Sequence, residues 1–228
     1  MKVITGNIFN TKHQTIVNTV NCFGVMGAGI ALECKYRYPI MFEKYNDICN
    51  KNLLDIGKLY LYKSSNKWIL NFPTKKHWKY PTKPEYLKKG LIKFRETYKK
   101  KGITSIAFPL LGAQNGGLSK NESLDLLEEY LKDIDIPIEV YLYKEDAPDD
   151  LFEVFSKAFI STDLVTLKKI TELKNKQINN IRDIIENENL SNMGQLSSFK
   201  GVGETTITKC FKFAMRTDIS NFQNNLFL

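Results

Sequence analysis

Strand-like and helix-like segments alternate over the first 143 residues of this chain, and that alternation leaves few folds open. Short apolar runs at residues 3–4, 16–20, 59–62, 68–72, 105–110 and 138–143 read as strands. Residues 28–38, 40–50, 85–101 and about 121–132 read as helices, with Pro39 and Gly102 as stops and Asn121 as an N-cap. Pro73, Pro81 and Pro84 mark residues 73–84 as a loop, and Pro148 opens a further helix at its first turn. This order predicts an α/β fold, a sheet with helices on both faces and ligand loops beyond the carboxyl ends of the strands. Strand signals stop near residue 160, so the chain is expected to divide into domains 1–160 and 161–228, the second helical and rich in Asn and Lys.

Several functional classes recede on composition. With 228 residues and 43% hydrophobic content, the chain can bury a core and is not a disordered tract. No apolar run approaches the ~18 residues of a membrane span, and the opening MKVITGNIFN does not read as a signal peptide. Cys22, Cys34, Cys49 and Cys210 form no CxxC pair, and His13 and His77 are far apart. No metal site is expected, and a reducing cytoplasm suits these thiols. The net charge of +8 is unevenly carried: residues 63–101 hold thirteen basic and two acidic side chains, a net +11 on a remainder of −3. Such a block is either a solvated lysine-rich face or a surface for a polyanion.

Two glycine-rich loops carry the chemistry. Val20-Asn21-Cys22-Phe23-Gly24-Val25-Met26-Gly27-Ala28-Gly29-Ile30-Ala31 runs from strand to helix, and so does Pro109-Leu110-Leu111-Gly112-Ala113-Gln114-Asn115-Gly116-Gly117-Leu118. Glycines at 24, 27 and 29 permit positive φ and close approach to a ligand, and the following helix start offers free N–H groups to phosphate. Two such loops on one sheet edge can clamp a diphosphate through backbone amides. The spacing GxxGxG is neither a dinucleotide fingerprint nor a P-loop, and no NTPase lysine and hydroxyl accompany it.

TGNIF at 5–9, NTVNCFGVMGAGIA at 18–31, NFPTKKHW at 71–78 and PLLGAQNGGL at 109–118 together resemble a macrodomain. Within that superfamily they are most similar to the DarG-type antitoxin macrodomains, which remove ADP-ribose from DNA bases. The resemblance covers residues 1 to about 145 and implies a three-layer α/β/α fold with a mixed central sheet, followed here by a small all-helical segment. It implies that Asn7 and Ile8 line an adenine pocket. Many macrodomains carry Asp at the position of Asn7, which recognises the adenine amino group; the amide oxygen of Asn7 can still accept there. Gly24, Val25, Met26, Gly27 and Gly29 correspond to the loop around the diphosphate and distal ribose. Gly112, Asn115, Gly116 and Gly117 correspond to the opposing loop. Asn21 corresponds to the residue that contacts the distal ribose, although a strand-end Asn also serves to tie down its own loop.

Lys75 corresponds to the catalytic lysine of the DNA-directed members. A neutral lysine amine can attack the anomeric carbon and pass through a Schiff-base-type intermediate. Its pKa must then be depressed, by partial burial and by neighbours such as Lys76 and Lys79. The alternative is contact with phosphate alone. His77 is a candidate for proton transfer or loop orientation. Trp78 and Tyr80 either stack on a nucleobase or pack under the loop, and Lys76, Trp78 and Lys79 are candidate nucleic-acid contacts. Protein-directed glycohydrolases carry Asp where this chain has Gly116, and Ala113-Gln114 replaces the more usual Cys-Gly.

Phe199-x-Gly201-Val202-Gly203 resembles the hairpin of a helix-hairpin-helix motif, whose amides bind a DNA phosphate without reading sequence. Lys200, Gly201 and Gly203 are its candidate contacts, yet residues 151–228 hold ten basic and eight acidic side chains, and a packing role is equally open. The expected function is an ADP-ribosylglycohydrolase acting on modified nucleic acid, in particular DNA, without cofactor or metal. A cognate ADP-ribosyltransferase would act in opposition, and no membrane partner is expected. A non-catalytic ADP-ribose-type binding module and an ADP-ribose 1″-phosphate phosphatase are the alternatives.

Overall fold

The computed structural model describes residues 1–216, which form two compact units, the second beginning at Glu145. The last twelve residues of the segment expected to be helical lie outside the described residues. The first unit runs β1 (Lys2–Gly6), β2 (Thr15–Asn21), α1 (Gly29–Arg37), α2 (Pro39–Asn50), β3 (Tyr60–Lys63), β4 (Trp68–Lys75), α3 (Pro84–Lys101), β5 (Ile106–Pro109), α4 (Lys120–Leu131) and β6 (Ile138–Tyr143). The strands make one sheet in the order β1-β6-β5-β2-β4-β3. All neighbours are parallel except β3, which runs antiparallel to β4 and makes the sheet mixed.

Alternation along the strands sends side chains to two separate cores. Val17, Leu70, Phe72, Phe108 and Val140 pack against Leu87, Leu91 and Phe94 of α3 and Leu127 of α4. Ile16, Val20, Ile69 and Ala107 face the other way, against Cys34 of α1 and Met41, Tyr45 and Cys49 of α2. Helices therefore cover both faces, as the alternation of elements predicts.

Local departures have identifiable causes. β4 continues through Pro73 to Lys75, past the point where proline was expected to end it. Pro73 pairs with Val20, and the register shifts at the next step, between Val20 and Asn21. α4 is capped by Ser119 rather than Asn121: the Ser119 hydroxyl accepts from the Glu122 amide and the Glu122 carboxylate accepts from the Ser119 amide.

The second unit contains α5 (Phe152–Ser161), α6 (Leu164–Thr171), α7 (Asn175–Asn187), a 3-10 turn (Met193–Ser198) and α8 (Glu204–Ala214). α5 starts after Pro148, not at it, because the Asp149 carboxylate accepts from the Leu151 and Phe152 amides. The unit boundary falls ahead of α5 rather than near residue 160, since Phe155 and Phe159 meet Phe213 of α8 edge to face. Among the described residues, no helix is long and apolar enough to cross a membrane.

Candidate active site

β2 lies between β4 and β5 and runs parallel to both, so their carboxyl ends bring residues 22–28, 76–83 and 110–119 to one edge of the sheet. β1 runs in the same sense and delivers Asn7 and Ile8 to that edge. This is where an α/β sheet holds its ligands.

The first loop is held from inside. Asn21 ends β2 and is buried. Its Nδ2 donates to the Val25 carbonyl at 2.5 Å, and its Oδ1 accepts from the amides of Phe23 at 3.0 Å and Val25 at 3.2 Å. Tyr45 Oη donates to the Asn21 carbonyl at 2.7 Å, and burial pushes that phenol far above its ordinary pKa, so it stays a donor. The loop-tying role weighed for Asn21 is thus occupied. Gly24 (φ +96°) and Gly29 (φ +55°) take the left-handed conformation, whereas Gly27 does not. Asn46 Nδ2 donates to the Gly24 carbonyl at 3.1 Å. Met26 points into the core, and Val25 is half-buried. α1 begins after Ala28 with no side-chain cap, leaving its leading amides to whatever binds there. Asn7 is buried, and its Oδ1 caps the Phe9 amide at 3.0 Å, so that acceptor has one protein partner; Ile8 is buried beside it.

Lys75 ends β4 and is the Cα partner of Asn21. The residue is half-buried, and its Nζ donates to the Asn115 carbonyl on the opposing loop in an exposed hydrogen bond. Desolvation holds its pKa below the ordinary lysine range. The contribution expected from neighbouring lysines is not the cause; Lys76 Nζ instead faces Asp55 at 3.8 Å. Cys22 donates its amide to the Lys75 and Lys76 carbonyls at 3.0 and 3.2 Å, tying the first two loops together. Burial pushes the Cys22 thiol up to about 12, so it is no nucleophile at neutral pH.

The third loop depends on close backbone approach. A Cβ on Gly116 would lie 2.2 Å from the Gly112 carbonyl oxygen and 2.5 Å from Thr82 Oγ1. The Thr82 amide donates to the Gly116 carbonyl at 2.9 Å, and Leu118 donates to Gly112 at 3.0 Å. Gly112 and Gly117 both have positive φ. Asn115 spans the gap: its carbonyl receives Lys75, and its Nδ2 is 3.2 Å from where a Cβ on Gly29 would stand.

Beside Lys75, four rings meet. The His77 ring centroid lies 4.4 Å from Phe23, 5.6 Å from Trp78 and 5.4 Å from Tyr80. His77 Nδ1 accepts from the Lys79 amide at 3.2 Å, so the imidazole orients its own loop. Lys79 Nζ sits 5.1 Å above the Trp78 ring. Phe23, Tyr45, Asn46 and Thr82 were not anticipated from sequence. Phe23 lay inside a recognised motif at a position without an assigned role, and the other three carry no local signal.

In the second unit, Phe199 accepts from the Val202 amide at 3.1 Å across the hairpin, and Gly201 has φ +87°. Asn180 of α7 donates to the Lys200 carbonyl at 3.2 Å, and Gly203 is the N-cap of α8. The arm before the hairpin is the six-residue 3-10 turn rather than an α-helix.

Comparison with known proteins bears on the family and the fold. A Macro domain family model matches residues 17–127. A Thermosipho africanus protein described as a "DNA ADP-ribosyl transferase-DNA ADP-ribosyl glycohydrolase fusion protein" is 35% identical over 170 residues, covering 66% of this chain and 44% of that protein. The chain thus spans less than half of that curated relative. The solved macrodomain of Mycobacterium tuberculosis DarG superposes with a TM-score of 0.60 at 38% identity, over 61% of this chain and 95% of that one. The Thermosipho africanus DarTG structure in complex with ADP-ribose superposes with a TM-score of 0.59 at 36% identity, over 63% and 42%.

Proposed function

The chain belongs to the macro domain family, and on that premise we propose that it removes ADP-ribose from modified DNA bases, with Lys75 as the nucleophile. The observation that carries this reading is a desolvated lysine at the junction of the glycine loops, in register with Asn21 and donating to Asn115. The names of the relatives supply the substrate class, DNA-linked ADP-ribose.

In the proposed reaction, the amide groups of the first and third loops hold the diphosphate and Asn7 and Ile8 border the adenine. The neutral Lys75 amine attacks the anomeric carbon, and the base leaves with the glycosidic electron pair. The base takes up a proton as the nitrogen adduct loses one. Ring opening gives an imine, which water hydrolyses to free ADP-ribose and the amine. Asn21 positions the distal ribose through the loop it braces. Lys76, Trp78 and Lys79 contact the strand, the 199–203 hairpin binds a DNA phosphate, and an ADP-ribosyltransferase supplies the substrate.

ADP-ribosylated single-stranded DNA incubated with wild type and Lys75→Ala tests the reading. Borohydride added during turnover should trap an adduct on Lys75, visible by peptide mass. Equal release by both proteins, with no adduct, would sink the proposed nucleophile. A second reading, binding without cleavage, draws on the contact between Lys75 and Asn115, which leaves the ammonium a purely structural donor. It requires ADP-ribose affinity with no turnover of any conjugate.

A further inference from the structure

We infer that Phe23, His77, Trp78 and Tyr80 form a stacking platform for unpaired bases flanking the modified nucleotide; this rests on the DNA-directed reading above. Three of the four rings are open to solvent: Phe23 is 56% exposed, Trp78 47% and Tyr80 65%. Exposed aromatic surface of this extent, contributed by two different loops, is uncommon on a surface that only meets water. The rings are not scattered. All three approach the His77 ring within 5.6 Å, and the His77 and Trp78 planes are within 24° of parallel.

The chemistry around the rings selects the occupant. The platform follows Lys75 directly in the chain, on the loop that Cys22 pins against the first glycine loop. Lys79 holds its ammonium 5.1 Å above Trp78, Lys76 is exposed with Asp55 at 3.8 Å, and Lys83 follows in the chain, all within the net +11 block of residues 63–101. Aromatic faces interleaved with cations suit a single strand, whose bases stack while its phosphates meet lysine. An apolar peptide would gain nothing from the lysines, and a duplex keeps its bases stacked within itself. Phe23 brings the first glycine loop into the same surface, so one loop would touch both the ADP-ribose and the strand.

The test compares wild type with the Phe23→Ala/Tyr80→Ala double variant, both positions being exposed enough to change without loss of the fold. The first measurement needs no catalysis: binding of an unmodified single-stranded oligonucleotide carrying 2-aminopurine. Affinity should fall about tenfold or more, with the slope of log affinity against log salt unchanged. Lys76→Ala/Lys79→Ala should instead flatten that slope. Phe23→Tyr should restore most of the loss at that position. The second measurement is the ratio of kcat/KM for an ADP-ribosylated oligonucleotide to that for the ADP-ribosylated mononucleoside, which should fall by a similar factor. Unchanged affinity in the double variant, or preferential binding of duplex, overturns the platform. Turnover of neither substrate by wild type, with ring-dependent binding intact, would retire the hydrolase reading and leave the platform standing.

Discussion

At Lys75 the sign of the pH dependence follows from burial. Desolvation destabilises the ammonium, lowers its pKa and enlarges the fraction of neutral amine at a given pH. Hydrolysis should therefore rise with pH and level off above a midpoint lying below the ordinary lysine range, as read from a kcat–pH profile. Lys75→Arg keeps a cation but has no neutral form, and should lose activity roughly a hundredfold or more, as Lys75→Ala does. Retention of near-normal rates by the arginine variant would assign Lys75 to phosphate binding. Asn21 makes a different kind of prediction, because its side chain already bonds Val25 and Phe23. Asn21→Ala should cost about 1–3 kcal/mol of stability as well as activity. A variant that loses turnover with unchanged unfolding would place Asn21 on the ribose directly. The motif singled out Asn21 and Lys75 as candidates, and the fold pairs them at the ends of β2 and β4. The motif left open whether Asn21 also ties down its own loop, and only the fold, which turns the Val25 carbonyl toward its amide, shows that it does.

The elements around the site were mostly readable because each carries its own boundary chemistry. Pro39 opens α2, and Gly102 ends α3 in the left-handed conformation at φ +76°. The Ser119–Glu122 capping box was also present in the sequence, and a preference for Asn121 hid it. Ser119→Ala should destabilise the first unit by about 1 kcal/mol in urea unfolding, whereas Asn121→Ala should change little. β4 is the opposite case. Its passage through Pro73 comes with a bulge at Thr74, the extra residue of β4 between the Val20–Pro73 and Asn21–Lys75 pairs, and that irregularity exists only once β2 lies alongside. The third loop is similar, because the constraint on Gly116 is set by Gly112 and Thr82 from separate segments. Gly116→Ala must displace one of them and should weaken ADP-ribose binding at least about tenfold by calorimetry.

For the whole molecule, charge distribution is the property with the clearest consequence. The +11 block begins just before the Lys75 loop and continues through α3, so a bound strand would release counterions there. Hydrolysis of an oligonucleotide substrate at low concentration should fall by about an order of magnitude between roughly 50 and 200 mM salt, while a mononucleoside substrate should respond little. Salt-insensitive hydrolysis would return the lysines to a solvated face. The helical unit adds a separate expectation: Lys200→Glu should weaken DNA affinity without altering ADP-ribose affinity. By itself, the sequence determined the α/β class, the two glycine loops and the lysine between them, because periodicity, turn chemistry and a contiguous motif are local. Only the tertiary structure decided that α5 belongs with the helical unit, that Asn115 reaches Lys75, and that Phe23 joins the rings of the next loop. Those outcomes rest on contacts between segments far apart in the chain, made when β2 pairs with β4 and α5 stacks on α8.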